Sequence, residues 1–173
     1  MNKYNIPERL PHSLAGLNDL IQYIQEREDA KQLDLLEIGS WTGLSAVLFA
    51  RAFKSITCID PWSPTGGINL NYDMDNVYKL FCERTKIYDN VTAVKSKFED
   101  YEIDKNYDII YIDGLHTYDQ VKKDIKKALG IKSLKYIAGH DYYNKFPGVK
   151  RAVNELLGTP DQLFTDSSWI KKI

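Results

Sequence analysis

Leu35-Leu36-Glu37-Ile38-Gly39-Ser40-Trp41-Thr42-Gly43-Leu44-Ser45 reads as a buried strand, a tight turn bracketed by two glycines, and the start of a helix. Glu37 puts an acid near the end of that strand. Glycine has no Cβ, so backbone N–H groups and a helix N-terminus can come close to a ligand here. A dinucleotide-binding turn would need G-x-G-x-x-G directly after the strand. This chain has E-x-G-x-x-x-G instead, with Ser40 and Trp41 after the first glycine.

Working outward, apolar periodicity predicts helices over residues 12–27, 42–53, 75–86, 118–129 and 149–157. Ser13 is placed to cap the first, and Pro147 suits the first position of the last. Strands are expected over 33–38, 55–59, 91–94, 107–112 and 134–138, with a closing pair over 162–165 and 169–173. Residues 61–71 form a loop broken by Pro61, Pro64, Gly66 and Gly67. Strands alternating with helices imply βαβ units and a parallel sheet covered on both faces. Continuous apolar runs such as Ile109-Ile110-Tyr111-Ile112 suit strands buried on both sides. The expected fold is α/β, a doubly wound, seven-stranded, mostly parallel sheet closed by an antiparallel C-terminal hairpin. One domain is expected to span residues 1–173.

The 23 basic and 24 acidic residues leave a net charge of −1, which argues against a nucleic-acid partner. The run Lys122-Lys123-Asp124-Ile125-Lys126-Lys127 reads as the solvated face of an amphipathic helix. Cys58 and Cys82 have no metal-type spacing, and no leader or membrane-spanning run is visible, so a reducing cytoplasm is the expected setting. Oligomeric state is not set by the sequence.

In open α/β sheets, ligands bind beyond the carboxyl ends of the strands. The expected strand ends carry Glu37-Ile38-Gly39, Asp60-Pro61-Trp62, Phe98-Glu99-Asp100, Asp113-Gly114-Leu115-His116 and Gly139-His140-Asp141-Tyr142. Acids and histidines therefore gather at one edge. Together with Gly148-Val149-Lys150-Arg151-Ala152-Val153, these motifs resemble the class I methyltransferases that use S-adenosylmethionine (SAM), with their Rossmann-like fold. The resemblance is to the bacterial family that includes many sugar and antibiotic O-methyltransferases, and more distantly to catechol O-methyltransferase. It covers residues 13–157.

The resemblance implies roles. Gly39, Ser40 and Gly43 would form the turn around the methionine portion of SAM, Ser45 would bind its carboxylate, and Glu37 and Trp41 are further cofactor-binding candidates. Asp60 would accept both ribose hydroxyls, while Phe98 and Glu99 would meet the adenine. Trp62 is a further lining candidate. Asp113 falls both beside the cofactor and among the catalytic groups. His116 would take the acceptor's proton, with His140 as the alternative base. Asp113 and Asp141 would hold Mg²⁺; the position after the second acid is Tyr142, a poor ligand for a hard cation, with Asn144 as a substitute.

The expected activity is methylation of a small hydroxylated molecule such as a sugar, with residues 62–74 rimming the acceptor side. An NAD-dependent oxidoreductase and a SAM-binding module without turnover stay open as alternatives. Tyr118 and Lys122 match the Y-x-x-x-K spacing of short-chain dehydrogenases, which reads here as a coincidence of helical spacing.

Overall fold

The strand β1 (Asp34–Ile38) lies at the centre of the sheet because it pairs in parallel with both β2 (Ser55–Asp60) and β4 (Ile109–Ile112). The computed structural model describes residues 2–6, 11–64 and 72–173, the side chains of 11–13 excepted. The Ser13 cap, the Gly66 and Gly67 breakers and the middle of the expected acceptor rim lie outside the described residues. Outside β2 runs β3 (Val91–Lys95), and outside β4 runs β5 (Tyr136–Gly139), all parallel. The last two strands, β6 (Gln162–Leu163) and β7 (Trp169–Lys172), are antiparallel, with β7 seated against β5. The strand order is β3-β2-β1-β4-β5-β7-β6, a seven-stranded sheet as expected. Its winding reverses between β1 and β4, which opens a crevice beyond their carboxyl ends.

Side-chain alternation explains why these strands read as continuous apolar runs. Leu35, Ile109 and Tyr111 face one layer of the core, while Leu36, Ile110 and Ile112 face the other. The first layer is closed by α1 (Pro11–Gln25), α2 (Leu44–Ala52) and α3 (Met74–Thr85). The second is closed by α4 (Tyr118–Ala128) and α5 (Pro147–Leu157), which pack on each other. Local chemistry sets the helix starts. Asp73 caps α3 by accepting from the Asp75 and Asn76 amides, Thr117 caps α4 by accepting from the Gln120 amide, and Pro147 opens α5. Among the described residues, no helix is long and apolar enough to cross a membrane.

Candidate active site

The glycine turn laces three strand ends together. The Gly39 N–H donates to the Ile59 carbonyl at 2.8 Å. Its φ is +89°, and a Cβ there would stand 2.2 Å from the Asp113 carbonyl oxygen. Only glycine fits where β1 passes β4 this closely. Asp60 holds the other side of the turn. Its Oδ2 accepts from the Trp41 N–H at 3.0 Å and its Oδ1 from the Trp62 N–H at 2.7 Å. Burial pushes the Asp60 carboxyl above the usual range, and these two amide donors oppose the shift. The Trp62 indole N–H closes the loop on the Trp41 carbonyl at 2.8 Å.

Trp41, Trp62 and Asp141 are non-glycine residues with positive φ (46°, 40° and 62°), all at this edge of the sheet. Left-handed backbone at bulky residues costs energy and concentrates at functional sites.

A cavity of about 660 Å³ occupies the crevice, within the size range of small-molecule sites. On its glycine-turn side it is lined by Gly39, Ser40, Trp41, Ser45 and Asp60. Its far side is lined by Phe98 and Glu99 from a short 3-10 turn, and its β4 wall by Asp113 and His116. These sequence candidates are brought together around one space. Gly43 stands just behind the wall as the left-handed residue that opens α2, its φ at +79°. Two of the cofactor-side candidates lie elsewhere. Glu37 is fully buried beneath the turn, beside the Cys58 thiol, whose pKa is raised well above its usual value by burial first and by Glu37 second. Trp62 is a core residue, its ring 4.8 Å from those of Tyr78 and Phe81.

Beside Asp113 the acids and histidines form one cluster. His116 Nε2 approaches Asp141 Oδ2 to 2.9 Å and Asp113 Oδ1 to 3.6 Å. The shorter approach is off the N–H axis, so it is a close contact rather than an aligned hydrogen bond. His140 Nδ1 stands 3.2 Å from Asp141 Oδ1 and 3.9 Å from Asp113 Oδ1. Burial by itself would push the Asp141 carboxyl up, but the contacts from His116 and His140 outweigh it and hold the group well below the usual range. The His116 ring leans on Phe146 at 4.6 Å.

Donor atoms of Asp113, His116 and Asp141 lie within 4.8 Å of one another, close enough to share a cation. Tyr142 and Asn144 take no part. The Tyr142 hydroxyl donates to Asn154 on α5 at 2.8 Å, and Asn144 Oδ1 accepts from Lys150 at 3.5 Å on the surface. His116, expected as a base, is therefore also the third candidate ligand.

Gln120 and Asp124 line the cavity from α4 and were not expected from the sequence. Asp124 is 2% exposed although it lies inside the Lys-rich run. The available signal was an acid four residues after Gln120, which places both on one helix face. The Tyr118 and Lys122 pair instead joins Glu155 in a surface network between α4 and α5.

Residues 36–142 match the methyltransferase-domain family. The chain belongs to that family. Solved methyltransferases share the fold at low identity. One is N-methyltransferase NodS from Bradyrhizobium japonicum WM9, 13% identical with a TM-score of 0.67, covering 94% of this chain and 96% of that one. Another is magnesium protoporphyrin IX methyltransferase from Synechocystis PCC 6803 with bound SAM, 10% identical with a TM-score of 0.64, covering 98% of this chain and 86% of that one. The early transcription factor 70 kDa subunit of myxoma virus (strain Lausanne) is 33% identical over 134 residues, 73% of this chain. The methyltransferase chain spans about a fifth of that relative's length (20%).

Proposed function

We propose that this methyltransferase uses SAM to methylate a hydroxyl group on a small molecule such as a sugar. Family membership carries the transferase class. The observation that supports the rest is one cavity lined by the glycine turn, Asp60, Asp113 and His116, with Asp141 beside the last two. The cavity has the size and polarity for a nucleoside-bearing cofactor: an acid for ribose, a helix N-terminus with Ser45 for a carboxylate, and apolar Phe98 for a base.

When bound, SAM supplies a methyl group on a sulfonium centre. Transfer of that methyl to a hydroxyl would require the acceptor oxygen to give up its proton. His116, on the cavity wall, is the candidate to take that proton, with Asp113 and Asp141 beside its Nε2 to stabilise the imidazolium. His140 stands behind Asp141 and is the second candidate. The remaining contribution is positioning, for which Phe146 and the strained Asp141 backbone fix the His116 ring. The near-neutral charge of the chain supports a small acceptor over a nucleic acid.

The unaligned 2.9 Å approach of His116 to Asp141 favours a second arrangement of the same site. Asp113, His116 and Asp141 would then hold a divalent cation that acidifies the acceptor hydroxyl. One imidazole and two carboxylates suit Mn²⁺ or Zn²⁺ better than Mg²⁺, which prefers oxygen donors alone.

The test is mass-spectrometric detection of methyl transfer from SAM to a panel of sugars and phenols, with amines and RNA alongside, before and after chelation. The expected product is an O-methylated small molecule. Transfer to nitrogen or RNA alone would refute the acceptor class, and loss of turnover on chelation would select the metal arrangement. SAM binding without transfer to any acceptor would favour a binding module.

A further inference from the structure

We propose that Asp124, presented by α4 together with Gln120, recognises the exocyclic amine of the adenine in a bound SAM. The assignment rests on the SAM reading above. Asp124 and Gln120 are four residues apart on the cavity-facing side of α4, while Val121, Ile125 and Ala128 point into the core. The 3-10 turn that carries Phe98 is tied to the same helix. Lys127 Nζ donates to the carbonyls of Phe98, Glu99 and Tyr101 and lies 4.8 Å from the centre of the Phe98 ring. Phe98, Gln120 and Asp124 thus line one cavity, so a base beside Phe98 would have α4 within its surroundings.

The groups available to that edge differ sharply. Glu99 is half in solvent and is taken up by Lys123 at 3.4 Å and Lys97 at 3.9 Å. Asp124 is 2% exposed and has no ion pair among the described residues. Its Oδ1 accepts from the Gln120 carboxamide at 2.9 Å, and its Oδ2 has no hydrogen-bond partner among the described residues. A buried carboxyl with one neutral donor costs the fold free energy. Burial accordingly pushes its pKa up to about 6, with the Gln120 contact opposing, Glu99 adding to the rise, and Lys127 and Lys123 opposing it. The arrangement lacks a second donor, and the amine of adenine supplies one. Gln120 holds one carboxyl oxygen, and Asp124 itself lines the cavity.

The experiment is titration calorimetry with S-adenosylhomocysteine (SAH) and with its analogue whose base is unsubstituted purine. Wild type, Asp124→Leu and Asp124→Asn are compared, with folding checked by circular dichroism. The wild-type chain is expected to lose on the order of 10- to 100-fold in affinity when the amine is absent, the range for a hydrogen bond to a charged group. Asp124→Leu should bind the two ligands alike. Asp124→Asn should lose most of the preference and melt at a higher temperature at pH 7.5, since it removes a buried charge. A purely structural Asp124 would lower the melting temperature and leave the preference intact. An undiminished preference in Asp124→Leu, or in Asp124→Asn if the leucine variant does not fold, would overturn the assignment. So would a wild-type chain that binds both ligands equally. A wild-type chain that binds neither refutes the SAM reading itself, a different outcome.

Discussion

Replacing Gly39 by alanine tests how the first strand and the fourth are held together at the site. The added Cβ would stand 2.2 Å from the Asp113 carbonyl oxygen and 2.6 Å from its carbon, and backbone cannot swing away as a flexible side chain can. The position also has φ at +89°. Positive-φ strain costs about 1–3 kcal/mol and forced overpacking about 1–3 kcal/mol, so the variant should lose roughly 2–6 kcal/mol. For a chain of this size that corresponds to a fall in Tm on the order of 10 °C. Two glycines separate the terms. Gly158 has φ at +73° with nothing within 4 Å of an added Cβ, so Gly158→Ala should show strain alone, about 1–3 kcal/mol. Gly114 has ordinary backbone and meets only Ile38 at 3.5 Å, so Gly114→Ala should change stability by less than about 0.5 kcal/mol. Guanidinium denaturation of the three variants measures the series. If Gly39→Ala proves no worse than Gly158→Ala, the strand ends are not packed as described.

Asp60→Ala should weaken SAH binding by about 1.5–3 kcal/mol, measured by calorimetry, and should also lower Tm because the Trp41 and Trp62 amides lose their acceptor. For Asp124 the folded pKa, about 6, lies above the unfolded value, so the native state binds the proton more tightly and stability falls as pH rises through 4 to 6. Asp124→Asn should therefore be more stable than wild type at pH 7.5 by up to about 3 kcal/mol, with the difference gone near pH 4, as followed by Tm against pH. His116→Gln should lower turnover by about 10²–10⁴-fold while SAH affinity, read by calorimetry, stays within about twofold; full activity would remove His116 from proton transfer.

The sheet was legible because its strands are buried on both faces, which leaves unbroken apolar runs such as Ile109 to Ile112, and because turn chemistry separates them. The site was legible where backbone demanded a residue type, as at Gly39, or where an acid closed a strand, as at Asp60 and Asp113. Glu37 shows the limit. Its place near the strand end suggested the cavity, but strand alternation points it into the first core layer, beside Cys58. His116 could not be read as a metal-ligand candidate because the spacing of Asp113, His116 and Asp141 is set by two different strands. Asp124 was hidden for a similar reason. A Lys-rich run reads as solvated, and only the packing of α4 against the 3-10 turn buries the one acid within it.

On this reading the crevice between β1 and β4 takes SAM. Titration calorimetry of the wild-type chain with SAM, SAH and NAD, side by side, tests it most directly. Saturable one-to-one binding of SAM and SAH with no heat from NAD is the predicted result. Binding of NAD with none of SAM or SAH would show that the crevice is not a SAM site.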